Sequence, residues 1–141
     1  YKKVWGTYYE RGGLILTDRY TTSNAVHQTV KCPPQERGEF LRWLDDFEHT
    51  KLGLPRPDLV LYLDMPTDQA AALLRRREAD THTQADIHEL DTAYLASCRE
   101  SALQAADLLG WKVIPCVDAS GALRPVESIQ EEVWSLAAPL L

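Results

Sequence analysis

The sequence predicts an α/β fold built on a parallel sheet. Three continuous apolar runs carry that expectation: Leu14-Ile15-Leu16 behind two glycines, "PDLVLYLDMP" at residues 57 to 66, and "WKVIPCV" at residues 111 to 117. Strands covered on both faces by helices read this way, whereas a half-exposed strand alternates. Segments of helical period separate the runs, which is the alternation that crossovers between parallel strands require.

Each element has its own signal. Residues 1 to 11, YKKVWGTYYER, read as the tail of an amphipathic helix, closed by the Gly12-Gly13 turn into a strand that ends at Asp18. A helix entered through Thr22 or Ser23 runs to about residue 31. Pro33-Pro34 opens the next, which reaches about Thr50 with Phe40, Leu41, Leu44 and Phe47 on one face, and Gly53 and Pro55 stop it. The second strand, held between prolines, ends in Asp64. An alanine- and leucine-rich helix from Thr67 closes in Arg75-Arg76-Arg77, and "EADTHTQAD", residues 78 to 86, has no periodicity and is expected to form a mobile loop. "IHELDTAYLASCRESALQAADLLG" is a long helix stopped by Gly110. After the third strand, Asp118 to Pro125 lead to a last helix from about Val126 to Ala138.

Composition bounds the class. The 141 residues, 45% hydrophobic and 26% charged, match one globular domain with material for a core. A formal net charge of -6 argues against a general nucleic-acid binder and leaves room only for a focused site for a small anion. Cys32, Cys98 and Cys116 are odd in number and far apart, as reduced thiols are, and no apolar stretch approaches membrane-spanning length. Tyr-Lys-Lys-Val-Trp at the start has no signal-peptide pattern, so a cytoplasmic protein away from membranes is expected.

Asp18 and Arg19 stand where open α/β sheets bind ligands, beyond the carboxyl end of a strand. A cap for the following helix and a surface ion pair would account for the two residues equally well from position alone. Asp64 also closes a strand, but Pro66 starts a helix there and capping accounts for it.

The residues "DRYTTSNAVHQ", 18 to 28, resemble the Asp-Arg-Tyr-x-x-Ser-Asn signature of thymidylate kinases. "PDLVLYLDMP" is similar to that family's next strand, "LLRRREADTHTQADIHE" to its lid, and "VIPCVDASGALRPVESI" to its closing strand, loop and helix, all in the family's order. The resemblance implies a three-layer α/β/α P-loop kinase with a parallel sheet. It also implies transfer of the γ-phosphoryl group of ATP to dTMP, giving dTDP and ADP, with magnesium and commonly as a homodimer. No G-x-x-x-x-G-K-[ST] occurs in the 141 residues. Residues 1–141 are therefore read as the C-terminal part of one such domain, with the lid at about 75–89 and the P-loop strand missing.

Phosphoryl transfer needs charge management more than covalent help, and the implied roles follow from that. Arg19 would bind the acceptor phosphate, because a guanidinium fork matches phosphate oxygens and keeps its charge. Asp18 would hold magnesium or its water, or orient Arg19. Ser23 and Asn24 would approach the base, the Asn amide offering a donor and an acceptor to thymine; capping is the plainer alternative. His27 stands where many relatives carry a tyrosine near sugar and base, and it and Gln28 would either meet the acceptor or simply pack. Arg75 and Arg77 would supply transition-state charge from the lid, or complement the negative pole of a helix. Asp86, His88 and Glu89 would brace the lid, and His82, His88 and Asp86 lack a zinc-ligand spacing. Asp118, Ala119 and Ser120 would embrace adenine, mostly through backbone. The alternatives to a dTMP kinase are a thymidylate-kinase-like protein that binds a nucleotide or a partner without turnover, and a kinase for another deoxynucleotide.

Overall fold

The computed structural model describes residues 2–81 and 92–141. A π-helical stretch, Lys2–Gly6, runs into a short helix α1 (Thr7–Glu10), as the amphipathic pattern of residues 1 to 11 predicts. Gly12, at φ 80°, makes the turn that follows. Helix α2 (Thr22–Thr29) comes next, then a 3-10 turn (Pro34–Glu36) opened by Pro33, helix α3 (Arg37–Asp45), and a π-helical extension (Asp46–Lys51). Gly53 at φ 63° then reverses the chain, in a conformation that costs a residue with a Cβ about 1 kcal/mol or more.

Strands β1 (Leu61–Asp64) and β2 (Lys112–Pro115) pair in parallel, with Leu61 opposite Lys112 and Asp64 opposite Pro115. Helix α4 (Thr67–Thr81) and helix α5 (Thr92–Leu109) lie between them in sequence, and α6 (Val126–Ala137) with a terminal 3-10 turn (Ala138–Leu140) follows β2. The fold is α/β with a parallel two-stranded sheet.

Helix α5 organises the packing. It contacts α2, α3, α4 and both strands, and its buried residues are Cys98, Ser101, Ala102, Ala105 and Ala106. Small side chains at these positions let neighbouring backbones come close: Ser101 Oγ donates to the Ala25 carbonyl of α2 at 3.4 Å. Leu41 and Leu44 of α3 meet Ala25 and Ala105 in the core, with Phe40, Leu109 and Trp111 packed against it. Phe47, expected on the same face, is exposed because it lies in the π-helical extension, where five rather than four residues close each turn.

Two expectations are corrected. Residues 14 to 18 do not form a buried strand. Leu14 and Leu16 are exposed, and among the described residues no backbone hydrogen bond joins this segment to another. An apolar run becomes a strand only through a partner's ladder, and that is a non-local condition. Residues 78 to 81, expected in a loop, continue α4; Glu78 and Ala79 are good helix formers and nothing in the run breaks the ladder. The remainder of "EADTHTQAD", residues 82 to 86, lies outside the described residues.

Because Ala105 is fully buried between α5 and the core leucines, Ala105→Leu should lower folding stability by about 1 to 3 kcal/mol through overpacking. Urea unfolding of both proteins measures it; an unchanged midpoint would contradict the close approach.

Candidate functional site

The candidate polar residues are spread over the segment before α2, α2 itself, the end of β1, α4 and the loop after β2. Asp18 and Arg19 are exposed, and among the described residues neither side chain has a hydrogen-bond or ion-pair partner. Arg19 has φ 69°, the one positive φ among described non-glycine residues. A left-handed arginine stores about 1 to 3 kcal/mol of backbone strain, and such outliers concentrate at functional positions. The twist is local: Tyr20 anchors the next residue, its hydroxyl donating to the Pro55 carbonyl at 3.2 Å, and the Tyr20 carbonyl receives the Ser23 N–H at 3.1 Å as α2 begins.

Along α2 the expected ligand residues have acquired neighbours. Ser23 is half-buried in the first turn. Asn24 donates from Nδ2 to Oε1 of Glu48 at 2.7 Å, so its amide braces α2 against the end of the second helical arm. Glu48 is itself buried, and lines a cavity of about 290 Å³ together with Thr21, Ala25, Leu44, Val60 and Trp111. None of the ligand residues expected from the sequence lines that cavity. His27 is half-buried, with Nδ1 at 3.3 Å from the Tyr94 hydroxyl and 3.7 Å from Cys98 Sγ, both on α5. Gln28 faces outward and accepts from Lys31 Nζ at 2.8 Å.

Asp64 is not a helix cap. Its two oxygens accept from Arg99 Nε and Nη2 at 2.6 and 2.8 Å, a bidentate pair between β1 and α5. This pairing holds the Arg99 guanidinium above its usual range, chiefly through the hydrogen bond, while burial beside Asp64 raises the Tyr62 phenol. The partners are 35 residues apart, and no local pattern announces such a contact.

The remaining expected residues occupy two other elements. Arg75 and Arg77 are exposed on α4. Asp118 Oδ1 accepts from Ser120 N–H, Ser120 Oγ and Ala122 N–H at 2.8, 2.6 and 3.1 Å, which lowers its carboxyl below the ordinary range, the Ser120 side chain contributing most. The Asp118 carboxylate thus builds the loop, and the exposed Ala119 and Ser120 form its tip. Asp86, His88, Glu89 and His82, with the rest of the lid beyond Thr81, lie outside the described residues. Among the described residues no helix is long and apolar enough to cross a membrane.

Asp18 offers a single exposed carboxylate, and among the described residues no group of three or more His, Cys, Asp or Glu side chains is placed to hold a metal ion. A magnesium ion takes one or two carboxylates alongside waters and phosphate oxygens, so Asp18 would serve one only together with ligands from a bound nucleotide.

The chain is similar to several curated thymidylate kinases. The chain is 29% identical over 132 residues to a thymidylate kinase of Thermomicrobium roseum, covering 94% of this chain and 57% of the relative. It is 30% identical over 133 residues to a thymidylate kinase of Pseudomonas fluorescens, covering 94% and 57%. A probable thymidylate kinase of Thermococcus kodakarensis is 26% identical over 132 residues, covering 94% and 55%. The chain therefore spans little more than half the length of these relatives. No family model and no solved structure matches it.

Arg99→Ala should leave the Asp64 carboxylate half-buried without its fork and lower stability by about 1 to 2 kcal/mol. Arg99→Lys should recover only part of that, since an ammonium cannot bridge both oxygens. Denaturant midpoints of the two variants test the claim, and full recovery by lysine would contradict bidentate pairing.

Proposed function

We propose that this chain, which belongs to the thymidylate kinase family on the likeness of these relatives, forms the acceptor and lid side of an enzyme that moves the γ-phosphoryl group of ATP onto dTMP. The observation that carries the proposal is Arg19, held in a left-handed backbone conformation and exposed between Asp18 and the start of α2.

In this reading Arg19 grips the acceptor phosphate with its guanidinium fork and fixes it for in-line attack, which is the main service an enzyme renders to phosphoryl transfer. Asp18 would hold a magnesium ion, which when bound would supply neutralisation of phosphate charge. Ser23 and His27 approach the nucleoside from the first turns of α2. Asn24 takes part through its carbonyl oxygen, its Nδ2 being engaged by Glu48, and Gln28, turned to Lys31, stands at the periphery. Arg75 and Arg77 reach the transferring group from the lid, and the 118–120 loop embraces adenine through its backbone. A homodimer in the cytoplasm completes the reading.

The direct test follows dTDP and ADP formed by the purified protein from ATP, magnesium and dTMP, beside dUMP and dGMP. Binding without turnover would instead support a nucleotide-binding role, and preference for another acceptor would move the substrate. Arg19→Gly relieves the backbone strain, so it tests the side chain without a folding penalty. It should weaken dTMP binding about 10- to 100-fold, the loss of one or two charge-assisted hydrogen bonds, and leave ATP binding unchanged. Equal losses for both nucleotides, read by separate titrations, would sink the acceptor assignment. Arg75→Ala or Arg77→Ala should lower turnover by about 10³-fold with little effect on affinity for either nucleotide.

A further inference from the structure

Tyr94 lies on the first turn of α5, and its ring runs nearly parallel to the His27 imidazole, 18° between planes with centroids 6.4 Å apart. Its hydroxyl is 3.3 Å from His27 Nδ1, and Cys98, one turn further along the same helix face, places its Sγ 3.7 Å from the same nitrogen. Two separate contacts from α5 therefore converge on one of the two imidazole nitrogens. We propose that Tyr94 is a positioning residue for the phosphoryl-acceptor site: its hydroxyl engages Nδ1 and its ring limits the imidazole plane, so that His27 is held toward the acceptor nucleoside in one orientation. The proposal rests on the reading of His27 as an acceptor-side residue.

A phenol oxygen and an imidazole nitrogen can each donate or accept, so the 3.3 Å contact joins the two rings in either tautomer. What it fixes is orientation, and misplacing a contact group erodes the positioning on which transfer depends.

The experiment uses the purified protein labelled with ¹⁵N in its histidine rings, of which there are four, with the His27 signals assigned through His27→Gln. Tyr94→Phe keeps the stacked ring and removes only the hydroxyl. Expected is a shift of the His27 Nδ1 resonance while the other three histidines stay unmoved. Alongside it, the KM for dTMP should rise about 3- to 10-fold, the loss of one net hydrogen bond, with a smaller change in kcat. In a His27→Ala background, Tyr94→Phe should add nothing further. An unmoved His27 resonance, or the same rise in KM without His27, would overturn the positioning role. A KM for dTMP unchanged by His27→Ala would overturn the acceptor reading beneath it. The resonance does not depend on that reading, so it tells the two failures apart.

Discussion

The structure depends on how closely other elements can approach helix α5. Its buried residues are Cys98, Ser101, Ala102, Ala105 and Ala106, and none carries more than two heavy atoms beyond Cα. Larger side chains there would push α2 and α3 away on one side and the sheet on the other, since interiors are packed at crystal-like density and do not absorb extra volume. The close approach brings Ser101 to the Ala25 carbonyl and lets Leu41 and Leu44 reach Ala105. Stability and site geometry thus share one origin.

That constraint reaches the chemistry through three residues on two sides of α5. Arg99 points to β1 and fixes Asp64 at the strand's carboxyl end; Tyr94 and Cys98 point to α2 and meet His27. A rigid helix with both attachments sets the separation between α2 and the sheet. The left-handed Arg19 stands at the head of the same α2, so its guanidinium inherits that placement. Strain at Arg19 is tolerable because Tyr20 and the first turn of α2 hold the backbone on its far side.

Much of this was legible in the sequence because its signals are local. Pro33-Pro34 and Gly53 bracket the second helical arm where expected, Gly110 ends α5 at φ 73°, and the apolar runs at 57–66 and 111–117 contain β1 and β2. What was not legible is non-local. Leu14-Ile15-Leu16 has the composition of a buried strand, yet composition cannot supply the neighbour whose hydrogen bonds make one. Asp64 looked like a cap because its partner lies 35 residues away, and Asn24 read as a base contact or a cap because Glu48 lies 24 away. The roles expected of Arg75, Arg77 and the 118–120 loop come from a family likeness rather than from spacing. The structure adds that Asp118 shapes its loop and is thereby held from other partners.

The claim that α5 joins α2 and the sheet into one unit is tested most directly by native-state hydrogen exchange. If the account is right, amides of Ala102 to Ala106 in α5, Val26 to Gln28 in α2 and Tyr62 to Leu63 in β1 exchange through one common opening with the same free energy and denaturant dependence. Exchange of the α2 amides at a free energy about 2 kcal/mol or more below that of α5 and β1 would show that α2 opens by itself, and would contradict it.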